Sequence, residues 1–150
     1  MCALFSLLHL RGGWFTIENP AVSLLFHSSP MQGLGSLLSV WSVTFDQCMY
    51  GLRPPAAGPE EYIKKSTRVE ANFPAISGLE RRCTGRTWSH LHVHALGTRR
   101  TTVDGTECCV SVAMWASRYP DGLCRALAEL VQRQISEHAV EALRRTALSA

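Results

Sequence analysis

Two stretches, Trp14-Phe-Thr-Ile-Glu-Asn-Pro20 and Phe45-Asp-Gln-Cys-Met-Tyr-Gly51, decide how this chain is read. Each is an apolar, β-prone run that ends in polar residues or a glycine turn. In open α/β sheets ligands are held at the carboxyl ends of strands, so Glu18, Asn19, Asp46 and Gln47 are candidates to line one crevice. The tripeptide Glu18-Asn19-Pro20 equally suits a plain strand-ending turn, because Asn and Pro are turn residues. Asp46 and Gln47 likewise suit the solvent side of a strand.

Working outward, residues 2–10 are apolar and stop at Gly12-Gly13, which predicts a helix and its end. Trp14 to Ile17 is the first strand, broken by Pro20. Residues 21–38 carry leucines interrupted by Pro30, Gly33 and Gly35, so a helical turn, a break and a second short helix are expected. Val40 to Cys48 alternates as a second strand, and Lys65 to Asn72 as a third. The Pro54, Pro55 and Pro59 loop between them suits an antiparallel pair. A short helix is expected near residues 76–82, and residues 83–107 read as the least ordered section. Leu127, Leu130, Val131, Ile135, Val140 and Leu143 mark an amphipathic C-terminal helix, with Glu141 and Arg145 an i,i+4 pair on its solvated side. The order of elements predicts an α/β class in a single domain over residues 1–150.

The totals agree with that class. With 150 residues, 46% hydrophobic and 18% charged, the chain has globular composition and enough length for a core. A net charge of +3 does not by itself establish a nucleic-acid partner. Its distribution is more telling: Lys64, Lys65, Arg68, Arg81, Arg82, Arg86, Arg99 and Arg100 crowd the middle third, as a solvated surface or a phosphate-attracting face. The six cysteines lack the spacing of a disulfide framework, so reduced, mostly buried thiols in an intracellular protein are expected. The run Met1 to Leu10 is too short to span a bilayer and lacks the flanks of a signal peptide. No membrane partner is expected.

The motifs, in order, carry a resemblance. Trp14-x-x-Ile-Glu-Asn-Pro20, Phe45-Asp-Gln-Cys-Met-Tyr-Gly51, Lys65-Ser-Thr-Arg68, Asn72-Phe-Pro74, Cys83-x-Gly85 with His92-x-His94, and Ala116-x-x-Tyr-Pro120 with Leu123-Cys124 resemble cytosine-C5-type DNA methyltransferase-like proteins of phages and retroelements. The resemblance covers residues 14–135 and implies the C-terminal half of a class I, Rossmann-like methyltransferase sheet with an antiparallel strand pair and a C-terminal helix. It implies S-adenosylmethionine as the parent family's methyl donor and DNA as substrate. Glu18 and Asn19 then stand as the catalytic candidates at a flipped-base pocket, where a carboxyl group reads or shares a ring proton. Lys65 and Arg68 stand as phosphate contacts. Two parts of the family's pattern are missing: no glycine-rich cofactor turn precedes residue 14, and no Pro-Cys nucleophile dipeptide occurs. The expectation is a truncated or degenerate domain of mobile-element origin, inactive alone, completed by a missing N-terminal half or a partner chain.

A second constellation supports a different reading. Cys83 precedes His90-Leu-His-Val-His94, whose histidines share one face if the segment is extended, so two of them can converge on a metal. Cys83, His92 and His94 are the metal candidates, with Cys48 able to join from the neighbouring strand. Zinc takes such ligands tetrahedrally. The spacing fits no standard finger, and a plain surface loop uses the same residues. The alternative function is therefore a small nucleic-acid-binding or interaction module, zinc-stabilised. Cys108-Cys109 points to opposite faces of a strand and reads as a pair of small buried residues.

Overall fold

The computed structural model describes residues 2–148. It is a mixed α/β chain with small sheets and a long C-terminal helix. The described chain divides into two compact units: residues up to 44, 68–80 and from 125 onward form the first, residues 45–67 and 81–124 the second. Strands β1 (Thr16–Pro20), β2 (Trp41–Asp46) and β4 (Ser66–Ala71) form a three-stranded sheet in the order β1-β4-β2. The strands β2 and β4, on either side of the proline-rich segment, are thus hydrogen-bonded neighbours. Pro20 closes β1 instead of interrupting it, because β1 lies at the sheet edge, where a residue without an N–H is tolerated.

The first unit is an apolar clamp. Phe15 and Ile17, two residues apart and so on one face of an extended chain, are buried with Phe26, Met31 and Leu34. Ser23 caps a 3-10 turn over Leu24–His27 by accepting the Leu25 amide. Helix α2 (Ser29–Leu37) follows after Ser28, with Pro30 in its first turn, where a missing N–H costs nothing. Met31 and Leu34 are the i,i+3 pair that this helix turns inward. Phe5 of α1 (Cys2–Leu10) packs its ring on Phe15 at 4.8 Å. Asn72 pins the strand entry: it accepts the Phe15 amide at 2.9 Å and donates to the Gly13 carbonyl at 2.9 Å. Helix α4 (Asp121–Leu148) buries Leu130 and half-buries Leu127 and Val131. Ile135, Val140 and Leu143, expected on the same buried stripe, are exposed.

The second unit carries the elements that composition hid. Strand β3 (Glu61–Ile63) pairs in parallel with β5 (Leu91–Val93), and β6 (Thr98–Val103) pairs antiparallel with β7 (Thr106–Ser111). Residues 83–107, expected to be the least ordered, therefore contain β5, β6 and the start of β7. The hairpin turn is Asp104-Gly105, both at positive φ (49° and 79°), the conformation that lets a two-residue loop follow the twist of its strands. Leu52, Ile63, Val112 and Ala116 form the unit's apolar cluster, with Val93 and Ala95 against it. Helix α3 (Val112–Trp115) supplies Val112. No described helix is long and apolar enough to cross a membrane.

Candidate metal centre

The centre is built from three local structures of the second unit. After β2 the chain enters a 3-10 turn over Gln47–Tyr50, which carries Cys48 and closes at Gly51 with φ 87°, a left-handed position suited to glycine. The Gln47 amide donates to the Lys65 carbonyl at 2.9 Å and fixes that turn. Cys83 lies two residues beyond Arg81, whose carbonyl accepts the Asp46 amide at 2.9 Å. His90 and His92 stand either side of Leu91, at the start of β5. Alternation along the strand puts both histidines on one face and leaves Val93 for the apolar cluster on the other.

These segments bring together one ligand atom each from Cys48, Cys83, His90 and His92, all within 4.8 Å of one another. The separations are 3.4 Å from Cys83 Sγ to His92 Nε2, 3.6 Å to His90 Nε2, and 3.1 Å between the two imidazole nitrogens. A tetrahedron with Zn–N near 2.0 Å and Zn–S near 2.3 Å has edges of roughly 3.3 Å between nitrogens and roughly 3.5 Å between nitrogen and sulfur. The three spacings among Cys83, His90 and His92 match those edges, and with Cys48 within 4.8 Å this Cys2His2 cluster could hold a metal ion.

The surroundings orient the ligands. Tyr62, which pairs with His92 in the β3–β5 register, stacks its ring on His90 at 4.2 Å and 16°. Arg53 lies 4.7 Å over the other partner in that stack, the Tyr62 ring. The Asp46 carboxylate accepts the Cys83 amide at 2.9 Å and the Ser66 hydroxyl, and Lys64 approaches it at 4.0 Å. Burial alone would raise the Asp46 carboxyl, but those hydrogen bonds and the charges of Lys64 and Arg82 outweigh it and hold it below the ordinary carboxylate value. Burial, then the neighbouring Cys83 and Asp46, pushes the Cys48 thiol up to about 12. That shift favours the protonated thiol. A divalent ion is what makes a thiolate there favourable. Burial and the adjacent His90, Lys64 and Arg86 lower the His92 pKa, which favours the neutral imidazole that a metal requires.

The candidates from the sequence are distributed as follows. His94 is exposed and lines an open cleft with Lys64, Ser66 and Arg86, and His90 stands in the cluster in its place. His90 and His94 flank β5 at its two ends, and it is the Cys83 side, with His90, that meets the cluster. Asp46 and Gln47 come together, but at 2% and 0% exposure they are buried supports, neither crevice walls nor a solvent face. The Gln47 amide donates to the Thr67 hydroxyl at 2.9 Å. Glu18 and Asn19 are half-buried on β1, in the first unit. Lys65 is engaged with the Ala116 carbonyl at 3.4 Å. Arg68 is ion-paired with Glu70 and lies over the Phe26 ring at 4.6 Å. Both cations thus have protein partners. Of the described cysteines only Cys48 is buried; Cys83 and Cys108 are half-buried, Cys109 and Cys124 exposed. Tyr62 and the supporting role of Asp46 have no local signature, since each depends on pairing between distant segments. No family model, curated protein or solved structure matches this chain.

Proposed function

We propose that this chain is a small zinc-stabilised nucleic-acid-binding module, with Cys48, Cys83, His90 and His92 as the four zinc ligands. The observation that carries the reading is the convergence of two thiols and two imidazoles within 4.8 Å, with tetrahedral-edge spacings among Cys83, His90 and His92. Two soft and two borderline ligands select zinc over hard cations, and four protein ligands leave no open position for a reacting water. The zinc is therefore structural. Metal analysis of protein purified without added zinc tests this: close to one equivalent per chain, with a lower melting temperature on chelation, is expected. Less than about half an equivalent and no melting shift on chelation would overturn it.

A second reading, a DNA methyltransferase-like domain of Rossmann-like type, is supported by the order of the strand-end motifs. Glu18 and Asn19, half-buried on β1, are its catalytic candidates. Calorimetry with S-adenosylmethionine separates the two. For a truncated domain without the cofactor turn no binding is expected, and saturable binding with methyl transfer to DNA would overturn the truncation and raise this reading above the zinc-centred one.

A further inference from the structure

The loop between ligands Cys83 and His90 carries Trp88, which is 98% exposed. Arg86 precedes it and lines two clefts. One, of about 420 Å³, is shared with Thr87, Trp88 and Leu91. The other, of about 530 Å³, is shared with Lys64, Ser66, His92 and His94. Arg86 thus lines both the cleft that carries Trp88 and the basic cleft. Lys64 is available there, since its side chain is 42% exposed and meets Asp46 only at 4.0 Å.

Charge singles out the same segment. Residues 81–103 contain five of the fifteen lysines and arginines and none of the twelve acidic residues. The rest of the chain holds ten cations against twelve anions, so the modest net charge of +3 conceals a basic run, of which Arg99 is paired with Glu61. A basic surface attracts polyanions generally, but the exposed indole narrows the class. A duplex keeps its bases stacked inside, whereas an unpaired base offers a face on which an aromatic ring can stack.

We propose that this face binds single-stranded nucleic acid, with Lys64 and Arg86 holding a backbone phosphate in the cleft and an unpaired base stacked on Trp88. The inference rests on the zinc-centred reading in one respect: Cys83 and His90, bound to one ion, pin both ends of the loop that presents Trp88. DNA and RNA share the chemistry of base and phosphate, and both are tested.

The experiment is fluorescence anisotropy and tryptophan quenching of the full chain with labelled dT12, rU12 and a mixed-sequence 12-bp duplex, across a salt series, with polyglutamate as competitor. Binding of either single strand in preference to duplex is expected, and the stronger of the two assigns the sugar. Trp88→Ala should weaken it by roughly five- to a hundred-fold and abolish the quench, with Trp88→Phe restoring part of the affinity. Lys64→Ala and Arg86→Ala should each lower the slope of log K against log salt by about 0.7. Zinc content should be unchanged in all four variants, since none is a ligand. Duplex binding as tight as single-strand binding, an unaffected Trp88→Ala variant, or displacement by polyglutamate at equal charge would each overturn the proposal. One equivalent of zinc without oligonucleotide binding sinks this inference and leaves the zinc reading standing. Trp88-dependent binding by a zinc-free chain does the reverse.

Discussion

In the first unit Phe15, Ile17, Phe26, Met31 and Leu34 close on one another as large hydrocarbon side chains. The second unit clusters Leu52, Ile63, Val112 and Ala116, also buries Phe45, Tyr50 and Leu123, and adds Asp46, Gln47, Thr67 and Cys48 to its buried set. Burying polar groups contributes little net stability even when they are satisfied, because each hydrogen bond replaces one to water. A unit confined to residues 45–67 and 81–124 falls under the roughly 70–80 residues below which a core alone seldom supplies enough. In the zinc-centred reading proposed above, the ligand shell would staple that unit alongside its apolar cluster. Among the described residues the first unit has no comparable ligand shell.

Removing the staple is the strongest way to break that comparison. Cys83→Ser, or chelation of the intact protein, should unfold the second unit, since structural zinc contributes on the order of 10 kcal/mol in small domains. Hydrogen exchange read by mass spectrometry should show protection lost over residues 83–111 and kept over residues 15–37. Equal loss in both units, or loss in neither, would break the distinction. The converse variant is Leu34→Ala, which leaves a void among Phe15, Phe26 and Met31. It should cost about 2–5 kcal/mol in denaturant unfolding of the first unit and leave bound zinc unchanged.

A subtler variant probes how the shell is held. Asp46→Ala removes the acceptor of the Cys83 amide and the Ser66 hydroxyl without touching a ligand. Zinc affinity measured by competition with a chromophoric chelator should fall roughly 10- to 100-fold. Unchanged affinity would show that the ligands position themselves.

The smallest effect is on pH dependence. Arg99 hydrogen-bonds both carboxylate oxygens of Glu61 at 2.6 and 3.1 Å and, with the Gly58 amide, holds that carboxyl down at about 2. A carboxyl depressed in the folded state adds stability that is complete above its ordinary value near 4.5 and is lost as pH falls toward about 2. The pair is only partly buried, so its contribution is small and salt-sensitive. An NMR titration of the Glu61 carboxyl should show the low midpoint, and Arg99→Ala should return it to the ordinary range. A midpoint already ordinary in the unaltered protein would remove the pair from the account.

Local signals carried a good part of this structure. The helix ending before Gly12-Gly13, the broken helical stretch over residues 21–38 and the strands around Val43 and Val69 follow from periodicity and from where glycine and proline fall. The hairpin over residues 98–111 was equally legible, because Asp104-Gly105 between β-branched runs is a strong two-residue turn signal. Reading that segment by its polarity instead of its turn chemistry hid it. Pro20 misled for a different reason: whether proline ends or merely borders a strand depends on whether the strand is an edge, which its neighbours decide.

The candidate centre divides along the same line. That His90, His92 and His94 share a face, with Cys83 a short loop away, follows from the period of an extended chain and belongs to the sequence alone. Which two histidines meet Cys83 was decided by the tertiary structure, which brings His90 and His92 to its sulfur and leaves His94 exposed. Cys48 joins because the turn after β2 is tied to Lys65, and Tyr62 stacks on His90 because β3 and β5 run in parallel. Periodicity is a property of neighbouring residues. Closing a tetrahedron requires atoms more than thirty positions apart to meet within bonding range of one ion, and only long-range backbone pairing brings them there.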